Sequence, residues 1–221
     1  MYIPQLILQV VRPQSLAFNQ PGRHGMNTLD SITQIAYTLM IALNISQAQD
    51  TGRKPVDNQQ LFCMASNIYF EARAEGEQGK QAVAHVVQNR IKDPRFPKTH
   101  CGVIQEGRHV ESWKTKGVAD VAPQDRVYIP RRNQCQFSWY CDGLKDIIWV
   151  QLRDGTAIEA NRTAWRDSVR IAVQVMQGEL KDNTGGATYY YAHNLTYPQW
   201  ADVKQQTRVI GDHTFMKRQA R

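Results

Sequence analysis

Apolar residues begin to recur at helical spacing near residue 57, and that period lays out most of the chain. Asp57 with Gln60 predicts a capped helix start, after which Leu61, Ala65, Ile68 and Ala72 fall on one face. Glu71 lies three residues past Ile68, at the edge of that face. Gly76 breaks the pattern. A second helix is predicted from Glu77 to Ile91, with Ala82, Val83, Val86, Val87 and Arg90/Ile91 as its stripe, ended by Asp93-Pro94 and Phe96-Pro97. Residues 96–139 are irregular, with Pro97, Gly102, Gly107, Gly117, Pro123 and Pro130, and predict loops with short strands. Such a long irregular stretch inside a domain is more often functional than idle. A helix is expected over Leu144 to Leu152, and a clearer one after Asn161-Arg162-Thr163, carrying Ala164, Ser168, Ile171/Ala172, Val175 and Met176 and stopped at Gly178. The stretch Ala187 to Ala192 is an aromatic, β-prone strand. Arg208 to Ile210 and His213 to Met216 look like its partners, bent at Gly211.

The pattern ahead of residue 57 is different. Residues 1–25 hold Pro4, Pro13, Pro21 and Gly22 without a period and predict an extension. Residues 26–48 have an apolar centre, Ala36 to Leu43, followed by Ser46-Gln47-Ala48. They fit a signal-like or anchoring segment able to touch a membrane transiently, and equally an amphipathic or buried helix; they are too short and polar for a confident membrane span. Residues 49–56 read as a polar linker. The expected division is therefore 1–56 as an N-terminal extension, 57–217 as the main domain and 218–221 as a basic tail.

Composition adds limits. With 221 residues, 42% hydrophobic and 21% charged, the chain can build one core. The formal charge of +7 favours a polyanionic partner: nucleic acid, an anionic membrane or an anionic wall polymer. No run of five or six Lys/Arg occurs, which argues against nucleic acid. Of the four cysteines, Cys63 reads as a small buried hydrophobe. A disulfide drawn from Cys101, Cys135 and Cys141 is expected if the protein is exported. Cys135 and Cys141 are the candidate pair, although sequence does not fix the pairing. Zinc is disfavoured, because no CxxC occurs and no histidine stands at ligand spacing from these cysteines.

Candidate chemistry starts from Glu71, Glu75 and Glu77. Glu71 has Tyr69, Phe70 and Ala72 beside it, so desolvation could raise its pKa and keep it protonated as a general acid. The plainer alternative is a solvated helix charge, paired with Arg73 or Arg90. Aromatic and polar residues cluster at Gln136 to Tyr140, Thr188 to Tyr191 and Asn194 to Trp200, as a sugar-binding groove requires, although aromatic strands are more often core. HExxH, GxSxG, Walker and dinucleotide glycine motifs are absent. His193 and His213 could meet across a hairpin, but no histidine belongs to a recognisable metal motif, and no metal or cofactor is expected. A carboxylate-based glycosidase best survives this elimination.

Five blocks in order then resemble the cell wall hydrolase family typified by bacterial spore cortex-lytic enzymes, which also includes phage endolysins. They are Tyr69 to Glu77, Ala82 to Arg90, Cys135 to Trp139, Gly186 to Ala192 and Ile210 to Phe215. The resemblance implies a mainly helical, lysozyme-like α+β domain with a small antiparallel sheet. It implies cleavage of the MurNAc–GlcNAc bond of peptidoglycan, as a lytic transglycosylase with Glu71 as acid and base. The alternatives are a muramidase that uses water and an inactive wall-binding module. Glu75 is expected to support Glu71 from the same helix face. Glu75, Gln136, Phe137, Ser138, Thr188, Tyr189, Tyr191 and His213 are the expected substrate contacts. The implied protein is a monomer that binds glycan strands and no nucleic acid, in the periplasm or cell wall, or is phage-encoded and acts on the host periplasm. Phe70 and Ala74 depart from the smaller residues usual in the family, and Tyr190 stands where a histidine is common.

Overall fold

The computed structural model describes residues 31–148 and 159–219. Four helices carry the core: α1 (Ser31–Thr51), α2 (Asn58–Ala72), α3 (Glu77–Lys92) and α5 (Glu159–Met176), with the short α4 (His100–Ile104) behind α3. A hairpin, β1 (Gly107–Glu111) with β2 (Tyr128–Cys135), follows α4. A three-stranded antiparallel sheet ends the chain, in the order β3 (Tyr189–Ala192), β5 (His213–Arg218), β4 (Lys204–Ile210). The expected α+β class, mainly helical with a small antiparallel sheet, is the one observed.

The predicted periodicities place the helices correctly. Asp57 caps α2 by accepting from the Gln60 backbone N–H, and Leu61, Ala65, Ile68 and Ala72 are buried. The Gln60 side chain does not close a reciprocal box; it accepts from Cys101 N–H at 3.1 Å and so ties α2 to α4. The rings of Tyr37, Phe62, Trp165 and Tyr69 pack edge to face through the centre, 5.5–6.0 Å apart. On its other side α3 contributes Ala82 and Val86 to a second small core with Ala187 and Phe215. Thus α3 lies between the helical core and the sheet, and this brings β3 against the end of α2.

Several boundaries differ from the sequence expectation. Helix α1 runs on to Thr51, into the stretch read as linker, and ends where Gly52 takes a left-handed φ of 67°. Ala36, Met40, Asn44 and Ala48 recur every fourth residue on its buried face, and Trp165 donates to Ala36 O. Asn44 exchanges two hydrogen bonds with the Val56 backbone, satisfying a buried amide and fixing the start of α2 against α1. Among the described residues no helix is long and apolar enough to cross a membrane. The helix expected at 144–152 does not form over 144–148, where Asp142 accepts from Leu144 N–H in a turn; residues 149–152 lie outside the described part, as do residues 1–30. Helix α5 begins at Glu159, so Asn161 to Thr163 lie inside it rather than capping it.

The cysteines bring a second correction. Cys63 is not a free thiol: it bonds Cys101 and staples α2 to α4. Both sulfurs are buried, which is why Cys63 looked like a small hydrophobe in sequence. Cys135 bonds Cys141, the candidate pair, closing the end of β2 onto the 3-10 turn Ser138–Cys141.

Candidate active site

Glu71 sits in the last turn of α2, where the helix stops because Ala72 and Arg73 lead into the turn before Gly76. Its position at the edge of the buried stripe leaves the side chain partly exposed but closely surrounded. The Trp139 ring stacks on Phe70 at 4.8 Å and donates its N–H to the buried Asn67 at 3.0 Å, so the 3-10 turn is fixed over this end of α2. Phe70, a departure from the family pattern, therefore has a defined packing partner.

The Tyr190 hydroxyl donates to Glu71 Oε2 at 2.9 Å. Burial pushes the Glu71 carboxyl above its usual range, and the Tyr190 hydrogen bond and the Arg90 charge pull it back in part. The Tyr190 hydroxyl is itself held well above its usual value, first by burial and then by the Glu71 charge, so it remains a donor. The alternative of a solvated Glu71 paired with Arg73 is not what forms. Arg73 is exposed, its guanidinium 5.7 Å from the Tyr69 ring centroid.

The three carboxylates separate completely. Glu75 does not share a helix face with Glu71, because α2 ends at Ala72 and Glu75 lies in the following turn. It reaches the β4–β5 turn instead: Oε1 accepts from Asp212 N–H at 3.2 Å and lies 3.3 Å from His213 Nδ1. The His213 ring stands edge-on to Tyr190, centroids 5.2 Å apart. Glu77 is an exposed charge in the first turn of α3, paired with Arg170 of α5.

The expected substrate contacts divide by burial. Gln136 and Ser138 are exposed, and Tyr189 and Tyr191 are half-buried. Tyr189 and Tyr191 both pack on Trp200, at 5.8 Å each. Phe137, Thr188 and His213 are core residues. Phe137 is 2% exposed beneath the Arg90 guanidinium, Thr188 gives its carbonyl to Arg90, and His213 is held by Glu75. An aromatic ring so placed has no face to offer a sugar. His193, just after β3, and His213, the first residue of β5, do approach at the end of this strand pair, where His193 N–H donates to Asp212 O and Thr214 Oγ1 lies 3.3 Å from His193 Nδ1.

Sequence reasoning named two residues of the site without giving them their place in it. Tyr190 was noted only as a departure, yet strand alternation sets it on the face opposite Tyr189 and Tyr191 and so toward Glu71. Arg90 was read as part of the α3 stripe and as one of two possible partners of a solvated Glu71, but not as a buried cation, which a lone arginine in such a stripe signals.

Comparison with known proteins places these features in a family. The model for Cell Wall Hydrolase matches residues 74–216, beginning just after Glu71. A spore cortex-lytic enzyme of Oceanobacillus iheyensis is 27% identical over 179 residues, covering 78% of this chain and 49% of that protein. One from Halalkalibacterium halodurans is 28% identical over 172 residues, covering 78% and 38%. The chain thus spans about half or less of these curated relatives. Among solved structures, the catalytic domain of a germination-specific lytic transglycosylase from Bacillus anthracis is 26% identical. The match covers 74% of this chain and 98% of that one, with a TM-score of 0.48.

Proposed function

The chain belongs to the cell wall hydrolase family, whose model spans residues 74–216, and from that premise we propose that it cleaves the glycan strands of peptidoglycan as a lytic transglycosylase with Glu71 as its one acid and base. The observation that carries this is the Glu71 carboxyl itself: burial holds it toward the protonated form, and one hydroxyl, Tyr190, orients it. Glu71 gives its proton to the glycosidic oxygen between MurNAc and GlcNAc as the C1–O bond breaks, through an oxocarbenium-like state. The muramic 6-hydroxyl then bonds to C1 and returns its proton to Glu71, leaving a 1,6-anhydro end and an enzyme in its starting state. No water is consumed and no second carboxylate is needed. The engagement of Glu75 with Asp212 and His213 supports this route over hydrolysis, because it commits the neighbouring carboxylate elsewhere.

Exposed Gln136 and Ser138, with half-buried Tyr189 and Tyr191, are the contacts we assign to the glycan. Two disulfides support action in an oxidising compartment, the periplasm or wall, and the charge of +7 favours approach to anionic wall polymers. The test is product analysis on purified sacculi. The wild type is expected to release anhydromuropeptides, and Glu71→Gln to fold while losing roughly 10²–10⁴-fold in rate. Reducing muramic ends alone mean hydrolysis by water. Sacculus binding with no product means an inactive wall-binding module. Full activity in Glu71→Gln removes Glu71 from the chemistry.

A further inference from the structure

Arg90 is a charged residue where a charge is costly. It is 4% exposed, on the face of α3 that also buries Val83, Val86 and Val87. A buried guanidinium ordinarily has a carboxylate partner. Among the described residues none of the ion pairs includes Arg90. Its Nε donates to Thr188 O at 2.8 Å, while its Nη1 is buried without a hydrogen-bond partner. Three rings surround the cation instead: Phe137 at 5.1 Å, Phe96 at 5.2 Å and Tyr189 at 5.8 Å from the guanidinium carbon. Such faces attract a desolvated cation without neutralising it. The Phe137 ring is 6.4 Å from the Tyr190 ring, whose hydroxyl holds Glu71.

We propose that Arg90 is a fixed counter-charge of Glu71, a buried cation in no ion pair and caged by aromatic rings, that stabilises the carboxylate that proton donation creates. This rests on Glu71 being the acid. A direct ion pair would hold Glu71 ionised and useless as a donor. Without a direct pair Glu71 can be protonated, and the low-dielectric surroundings still transmit the positive potential when the negative charge develops. The groups acting on the two residues are Tyr190 and Tyr189 from β3 and Glu106 from the segment after α4, with Glu106 acting on Arg90 more strongly than Glu71 does; two further cations, Arg95 and Lys204, lie over the outer rings Phe96 and Tyr189. Burial holds the Tyr190 hydroxyl well above its usual value, so it stays a neutral donor. Burial holds Glu106 upward, and the Arg90 charge opposes this. The competing explanation is structural, with Arg90 serving only to bind Thr188 O and tie α3 to β3.

The two differ in how Glu71 titrates. The titration midpoint of Glu71 is read from the pH dependence of the stability difference between each protein and its Glu71→Gln counterpart. Arg90→Met is expected to move that midpoint up by about one unit, and Arg90→Lys, which keeps the charge, by less than about 0.3 unit. The alkaline limb of kcat on sacculi should follow. An unchanged midpoint in Arg90→Met overturns the proposal. If Arg90→Met does not fold, the Glu71→Gln/Arg90→Met pair decides: recovery of the fold once the negative charge is gone supports it, and equal failure of the pair overturns it. Because the midpoint needs no activity, the outcome is separable from whether Glu71→Gln loses lysis.

Discussion

The Tyr190 hydroxyl donates a hydrogen bond to Glu71, and its own ring is fixed between Phe215 at 5.6 Å and the edge-on His213 at 5.2 Å. A donor aimed at a carboxylate favours the ionised form, so it limits how far burial raises the Glu71 pKa. Tyr190→Phe keeps the ring and removes the donor. The Glu71 pKa should then rise further, and because the acid must be protonated, the alkaline limb of the pH–rate profile should shift to higher pH. The rate below that limb should fall by roughly ten- to a hundredfold, the worth of a hydrogen bond to a charged group. A pH–rate profile on sacculi measures both, and an unmoved limb would show that the hydroxyl does not tune Glu71. Stability carries the same sign. With its folded pKa raised, Glu71 adds stability that is full below the unfolded carboxyl pKa and is lost as pH rises through the folded value. Glu71→Gln should therefore be the more stable protein at neutral pH, with the difference vanishing in acid. At this scale sequence showed the acid but not its setting. Glu71 stood out because its neighbours in the chain are apolar and the blocks around it resemble a family, whereas its partner lies 119 residues away and only the fold brings it there.

Elements decide how the two halves of the site meet. The turn after α2 and the turn between β4 and β5 are joined by one carboxylate, Glu75, and the join requires a glycine. Gly211 has a left-handed φ of 55°, and a Cβ built on it would lie 1.9 Å from Glu75 Oε2. Gly211→Ala must strain the turn and also displace the carboxylate from Asp212 N–H and His213. We expect a loss of about 2–3 kcal/mol, read from the denaturant midpoint. In a Glu75→Ala background the collision is gone, and the same change should cost only about 1 kcal/mol for the backbone. Equal losses in the two backgrounds would mean that Glu75 does not bear on the turn. The elements themselves were mostly legible. Helical period gave α2 and α3, and β-prone runs interrupted by Gly211 gave β4 and β5. What failed was local pattern without tertiary support. Leu144 to Ile148 hold apolar residues at helical density, yet the Cys135–Cys141 bond and the Asp142 turn fix the chain just before them in another course. The role of Glu75 failed for a related reason: an i, i+4 argument assumes a continuous helix, and α2 stops at Ala72.

For the whole molecule the question is what holds a site assembled from distant segments. Helix α1, read from sequence as either a signal-like or anchoring segment or an amphipathic or buried helix, packs along α5 and α2, its Ala36 carbonyl taken by Trp165. The core is thus larger than the run from residue 57 suggested, and its least visible tie in sequence is the Cys63–Cys101 bond. Thirty-eight residues separate the two cysteines, the loop spans all of α3, and α3 carries Arg90. Six residues separate Cys135 from Cys141. Chain entropy grows with the loop closed, so the first bond should contribute about 4 kcal/mol and the second about 2 kcal/mol. For a domain of this size each kcal/mol moves Tm by roughly 2–4 °C. Cys63→Ala/Cys101→Ala should therefore lower Tm by about 10 °C, and Cys135→Ala/Cys141→Ala by about half as much. Reductant should lower the wild-type Tm by about the sum of the two shifts and have no effect once all four cysteines are replaced. Thermal unfolding followed by circular dichroism measures each case. If the short-loop pair proved the costlier to remove, α3 would not depend on the Cys63–Cys101 staple, and the site would be held chiefly by its packing against α5 and the sheet.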